Sequence, residues 1–378
     1  MPVRIAQIAP VVESVPPAKY GGTERVIAAL SNELTALGHE VTVYASGDST
    51  VDANLVPVVD RALWKSEKPT SDLLFHLAEL ARVIRESDQF DIIHSHLDCL
   101  AFPFARMSKA PMVHTMHGRL DLPELRLLTD EFRDVNLVSI SSSQRRPLPA
   151  ANWVATVYNG TLVESAPFGR GDGGYLVFLG RISPEKGVAM AIDAAIGAGL
   201  PLKIAARMPL EHVDNPWVKQ DWAYFCDEIR PRLANPLIEF VGEVDDAAKR
   251  DLLKDARALL FPIDWPEPFG LAMVEALACG TPVIARPLGS VPELIEEGRT
   301  GFMCWTVDEM IRACERIDTI DRRACRVAAE TRFSHRVMAE AYLAVYRSLI
   351  GEWQTARAVE FARPADYSTE RPILIPKL

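Results

Sequence analysis

The chain of 378 residues lacks several things, and each absence removes a class of function. No apolar stretch approaches the roughly 18 residues of a membrane-crossing helix, so no span is expected. Cysteine is scarce: Cys99, Cys226, Cys279, Cys304, Cys314 and Cys325 are scattered without paired short spacing. That spacing offers no zinc site and suits a reducing cytoplasm. No Gly-x-Gly-x-x-Gly follows the first apolar run, which argues against a nicotinamide dinucleotide, and no Gly-Lys-Ser/Thr marks a Walker loop. No cofactor is expected. Positive charge is in deficit, with 41 Lys and Arg against 51 Asp and Glu, and the formal net charge is −10. A general nucleic-acid binder would need the opposite balance. The chain runs at once into a strand, so no signal peptide is expected and the expected location is the cytoplasm. Peripheral membrane contact through an amphipathic surface helix stays open, although no lysine-rich face demands one.

Apolar residues, by contrast, make up 48% of the chain, ample for packed cores. This length exceeds what one core usually fills, which predicts two domains. Strand and helix patterns alternate through both halves, so the fold class is α/β with parallel sheets. In the first half, residues 4–9 read as a strand. Gly21-Gly22 precedes a helix for which Thr23 is a plausible N-cap and Leu30, Leu34 and Leu37 part of the apolar face. Residues 41–45 form the next strand, 50–72 an irregular surface excursion, and about 73–87 a helix. Strands at 91–96 and 111–117 end in His94, His96 and His117. These histidines stand on different strand ends with no carboxylate cluster, so no metal site is expected. Further strands lie at 137–141 and 153–159, and Ser142 to Arg146 point to an acceptor side. The Gly- and charge-rich segment 165–174 reads as the interdomain linker.

In the second half, strand 175–180 leads into Arg181-Ile-Ser-Pro-Glu-Lys186-Gly187 and a helix at 188–197. A rigid guanidinium fork and a point charge beside a helix start suit a diphosphate. Strands 201–206 and 238–242, a helix at 221–233 and another capped by Asp245 come next. Strand 258–261 then opens the organising stretch. Pro262, Pro266 and Pro268 hold an extended loop. Gly270 opens a helix carrying Leu271, Val274 and Leu277 at helical spacing, Gly280 closes it, and 283–285 is the next strand. Glu267 precedes this helix and Glu275 lies on it, so both carboxylates can face one pocket at the carboxyl end of a strand, where open parallel sheets bind ligands. Beyond Gly289-Ser-Val-Pro-Glu293 come a short strand at 301–304 and helices at about 307–317, 321–330 and 334–350.

Glu267 and Glu275, seven residues apart with Pro268-Phe269-Gly270 after the first, resemble the signature of the retaining glycosyltransferases of family 4. Gly-Arg181-x4-Lys186-Gly, Gly21-Gly22-Thr23-Glu24 and His117-Gly118 resemble that family's other pocket elements, in the same order. The resemblance covers nearly the whole chain. It implies the GT-B architecture, two Rossmann-like domains facing across a cleft. Residues 1–165 would form the acceptor domain, 166–335 the donor domain, and the terminal segment from about 336–378 would cross back. It implies transfer of a hexose from a nucleotide diphosphate sugar to a hydroxyl acceptor with retained configuration and no metal ion. A uridine diphosphate sugar comes first as donor and guanosine diphosphate mannose second. The acceptor, a saccharide, lipid or small molecule, is not readable.

By the same resemblance, Glu267 and His117 would face the donor sugar, and Arg181 and Lys186 the diphosphate. Glu275 would hold the ribose, with Gly21, Gly22, Phe269, Gly270 and Leu271 completing the nucleotide-sugar site. Two other classes fit the residues: a nucleotide-sugar epimerase of the same architecture, and a catalytically silent sugar-nucleotide binder.

Overall fold

The computed structural model describes residues 2–19, 21–65, 71–209 and 216–362. The last part of the expected crossing segment, residues 363–378, therefore lies outside the described residues. Two parallel sheets organise the chain. The first has seven strands in the order β3-β2-β1-β4-β5-β6-β7. They are β1 (Arg4–Ile8), β2 (Glu40–Ser46), β3 (Asn54–Val59), β4 (Ile92–Ser95), β5 (Met112–Met116), β6 (Asn136–Ser139) and β7 (Trp153–Thr156). The second has six, in the order β10-β9-β8-β11-β12-β13. These are β8 (Leu176–Arg181), β9 (Leu202–Arg207), β10 (Ile238–Phe240), β11 (Ala258–Phe261), β12 (Val283–Ala285) and β13 (Gly301–Met303). Both are open sheets whose order reverses beside the first strand of the half, between β1 and β4 and between β8 and β11. Crevices at the strands' carboxyl ends follow from that reversal.

Helices fill the crossovers of the first half: α1 (Gly22–Ala36), α2 (Asp72–Arg85), α3 (Phe102–Ala105) and α4 (Pro123–Glu131). In the second half come α5 (Val188–Gly197), α6 (Pro216–Tyr224), α7 (Arg230–Arg232), α8 (Asp246–Asp255) and α9 (Leu271–Ala278). They are followed by α10 (Val291–Leu294), α11 (Val307–Arg316), α12 (Arg322–Arg332) and α13 (His335–Ala362). The central strands read as continuous apolar runs because helices cover both of their faces. One core joins β8, β9, β11 and β12 to α5, α9 and α11. A separate core joins β1, β2 and α1 to Met338, Tyr342, Tyr346 and Leu349 of α13. The chain passes between the halves twice, side by side, where Thr161 bridges Ser334.

Four local expectations are corrected. Residues 54–59 are not irregular but form the edge strand β3, parallel to β2. Pro57 obscures it, and an edge strand tolerates a residue without an N–H. Thr23 does not cap α1. Gly21 stands at the cap with φ 152° and no side-chain cap bond, so the helix starts one residue before Thr23. The helix expected at 221–233 begins at Pro216 and passes through a π turn at Phe225–Ile229. The last helix runs on to Ala362 rather than ending near 350. Asp245 does cap α8, accepting a hydrogen bond from the Ala248 N–H at 2.9 Å.

Candidate active site

A cavity of about 480 Å³ opens between the carboxyl ends of the two sheets. Gly21, Gly22 and His117 line it from the first half. Arg181, Lys186, Glu267, Phe269, Gly270, Leu271 and Glu275 line it from the second. The structure thus gathers every residue expected at the site into one space.

The β11–α9 connection is built to aim its two carboxylates. Buried Phe261 ends the strand and buried Phe269 anchors the loop. Ser290 fixes that loop from outside. Its N–H donates to the Glu267 carbonyl at 2.9 Å and its hydroxyl to the Phe269 carbonyl at 2.7 Å. Gly289 makes the approach possible, since with φ 60° a Cβ there would sit 2.3 Å from the Glu267 backbone. Lys186 Nζ donates to Glu267 Oε2 at 2.6 Å, and Trp265 Nε1 donates to the same oxygen at 2.9 Å. The ammonium also lies 5.0 Å from the Trp265 ring centre. Among the described residues, both of these donors share that one oxygen. Gly187 allows this approach of Lys186, because with φ 73° a Cβ there would meet the Pro262 carbonyl oxygen at 1.9 Å.

Arg181 is held at its base. Its guanidinium donates to Glu185 at 2.6 Å and to Asp221 at 3.3 Å. Burial outweighs Arg181 at Asp221 and raises that carboxyl above its ordinary value. Deeper in the cleft, Lys249 Nζ donates to Glu275 Oε1 at 2.6 Å. Neither Lys249 nor Trp265 was among the expected residues. Lys249 sits on α8, distant in sequence from α9, and carries no local signal. Trp265 lies inside the proline loop, two residues before Glu267, where its indole reads as packing.

The histidines stand on different strands, but β4 and β5 are neighbours, with His94 opposite Val113, so their ends coincide. His96 Nδ1 and His117 Nε2 lie 2.8 Å apart, and His96 Nε2 reaches Gln7 Oε1 at 2.8 Å. His94 bonds the Tyr346 hydroxyl and the Thr115 hydroxyl, each at 2.7 Å. The result is a buried imidazole network, tied to α13, with His117 at its cavity end. Burial holds His117 down to about 4 and His114 to about 3, and His94 and His96 well below their ordinary value. All four rings are therefore neutral near pH 7. Asp98, a non-glycine residue at φ 45°, accepts from the His117 N–H at 3.1 Å and fixes that turn.

Across the cleft, Ser142 and Ser143 donate their backbone N–H groups to the Glu293 carboxylate at 2.8 and 2.7 Å. Tyr158 adds its hydroxyl at 3.1 Å. Among the described residues, no group of three His, Cys, Asp or Glu is placed to hold a metal ion. No described helix is long and apolar enough to cross a membrane.

Comparison with known proteins agrees with this architecture. The family model described as "Glycosyltransferase Family 4" matches residues 20–161, and "Glycosyl transferases group 1" matches residues 167–320. A glycogen synthase of Mycobacterium tuberculosis is 28% identical over 342 residues, 76% of this chain and 80% of that protein. A phosphatidyl-myo-inositol mannosyltransferase of Mycobacterium leprae is 25% identical over 376 residues, 92% of this chain and 97% of that protein. Among solved structures, Anabaena HepE in complex with UDP and glucose superposes with a TM-score of 0.68 at 18% identity. That match covers 92% of this chain and all of the other, and shows the GT-B fold.

Proposed function

The chain belongs to the family 4, group 1 glycosyltransferases, and from that premise we propose a metal-independent hexosyl transfer with retained configuration. The donor is a nucleoside diphosphate sugar and the acceptor a hydroxyl group. The reading divides the chain into an acceptor domain, residues 1–165, a donor domain, 166–335, and a terminal segment that crosses back. The separate cores, and α13 packed on the first of them, support that division. A cytoplasmic location goes with six unpaired cysteines.

One observation carries the reading: Glu267, Glu275, Lys186 and Arg181 converge on a single cleft with the Gly21-Gly22 helix start opposite. Glu275 lies about 8 Å along α9 from Gly270 by helical rise, a depth that suits the ribose. Glu267, outside the helix, suits the sugar, as does neutral His117 at the other wall. Between them Arg181, Lys186 and the helix starts suit the diphosphate. In the reaction the bond from the anomeric carbon to the diphosphate oxygen breaks, and a bond to the acceptor oxygen forms on the same face. The acceptor proton passes to the departing phosphate oxygen. Charge builds on that oxygen as the bond breaks, so preorganised cations act there, each worth about 3 kcal/mol of barrier. The domains close over the donor and exclude water.

A uridine diphosphate sugar is the first choice of donor, in line with the UDP and glucose held by the Anabaena structure. Guanosine diphosphate mannose is second, in line with the mannosyltransferase relative. The relatives' names point to saccharide and lipid acceptors alike. A donor panel read by thermal shift and by nucleotide release tests the proposal. The true donor raises the melting temperature by mass action. Turnover should persist in a chelator; loss of turnover with rescue by Mg²⁺ or Mn²⁺ would overturn the metal-independent reading.

A further inference from the structure

Glu275 is the inner member of a chain of four charged side chains that crosses the cleft. Lys249 Nζ lies 2.6 Å from Glu275 Oε1 and 3.0 Å from Asp246 Oδ1. The other Asp246 oxygen takes the guanidinium of Arg25, which stands on α1 in the opposite half. Arg25 is itself steadied through a hydrogen bond of 2.6 Å to the Lys19 carbonyl. The chain is also a partition. Arg25, Lys249 and Glu275 line both the donor cavity and a second cavity of about 400 Å³ behind it.

Three features set this chain apart from surface ion pairs. Lys249 and Glu275 are 16% and 13% exposed, so water screens them little. Burial alone would raise the Asp246 carboxyl, but Lys249 and Arg25 outweigh it and hold it below its ordinary value. Finally, Lys249 is the only described residue that bonds the Glu275 carboxylate, and it does so through one oxygen. The other oxygen stays free, in a fixed direction, to accept from a ribose hydroxyl.

We propose that Lys249 is the positioning residue for the ribose-binding carboxylate, and that Asp246 links it to Arg25 so that an occupied nucleotide site and a closed cleft support each other. The inference rests on the functional reading above. It separates two roles within one chain. Lys249 aims Glu275, a task within the donor half. Arg25 contributes nothing to that aim and acts only when the halves are together.

The test is calorimetry with uridine, guanosine and adenosine diphosphates, together with small-angle scattering with and without the bound nucleotide. Lys249→Met should weaken the preferred diphosphate about tenfold or more, as should Glu275→Gln, since each removes a charge-assisted hydrogen bond. The double variant should lose no more than the worse single one, because both disable the same contact. Lys249→Arg should recover most of the loss. Asp246→Asn and Arg25→Gln should abolish nucleotide-driven compaction and weaken the diphosphate only by the factor that closure itself contributes, less than Lys249→Met does. Losses that multiply in the double variant, or an Arg25→Gln protein that compacts like the parent, would overturn the proposal alone. A parent protein that binds none of the diphosphates would overturn the functional reading as well. Asp246→Asn keeps both cations, so it tests the link even if Lys249→Met folds poorly.

Discussion

Acid should unfold this protein through its histidines. His114 is held at about 3, and His117 and His335 at about 4, in each case chiefly by burial. In the unfolded chain each ring returns to 6.5. Below that value the unfolded state binds more protons than the folded one, so stability is complete above about pH 6.5 and drains away as the pH falls toward 4. Between about pH 7.5 and about pH 5 each ring costs about 2 kcal/mol, or about 6 kcal/mol for the three. His94 and His96 add to the loss. Glu79 opposes it: burial holds that carboxyl well above 4.5, so its protonation favours the folded state as the pH falls. The loss from the three rings is a large part of a typical folding free energy of about 5–15 kcal/mol. Urea titrations at several pH values give the slope directly. The His114 ring has no hydrogen-bond partner among the described residues and lies edge-on to Phe102. His114→Leu should therefore cost little at neutral pH and remove about 2 kcal/mol of the acid loss. A parent stability that is flat or rises from pH 7.5 to 5, or a variant with the parent's slope, would refute the reasoning.

Other outcomes follow from the same geometry. Glu275→Gln should raise the donor KM and weaken free nucleoside diphosphate. Glu267→Gln should lower kcat and leave diphosphate affinity nearly unchanged, because a contact to the reacting sugar counts most in the transition state. Equal losses of diphosphate affinity in both variants would refute that division of roles. Gly289→Ala should displace the Glu267 loop, since its Cβ would lie 2.3 Å from the Glu267 backbone. Turnover should fall at least about tenfold while the strained backbone costs about 1–2 kcal/mol; a parent-like kcat would show that the loop yields freely. Tyr346→Phe removes the hydroxyl that reaches His94 and Gln7. The melting temperature should drop, at about 1 kcal/mol per bond lost.

Most of what was legible in the sequence is short in range. Apolar runs at β8, β11 and β12 read as buried strands because helices cover both faces of such a sheet. The start of α8 was readable from Asp245, whose carboxylate needs only the N–H three residues ahead. Glu267 and Glu275 could be paired on paper because one loop and one helix carry both. Where the local signal was mixed, it misled. Pro57 hid an edge strand, and Thr23 resembled a cap although the helix starts before it, after Gly21.

The sequence by itself determined the alternation of strands and helices, and with it two parallel sheets and a carboxylate pair at a strand's end. Tertiary structure alone decided which side chains meet those residues. Lys249 reaches Glu275 only because α8 packs against α9. His96 reaches His117 only because β4 lies beside β5. Arg25 reaches Asp246, and Ser142 and Ser143 reach Glu293, only because the two halves dock. Periodicity and capping act over a few residues and leave a pattern in the chain. A contact between distant residues depends on strand order and on how faces pack, and one sequence carries no periodic trace of it.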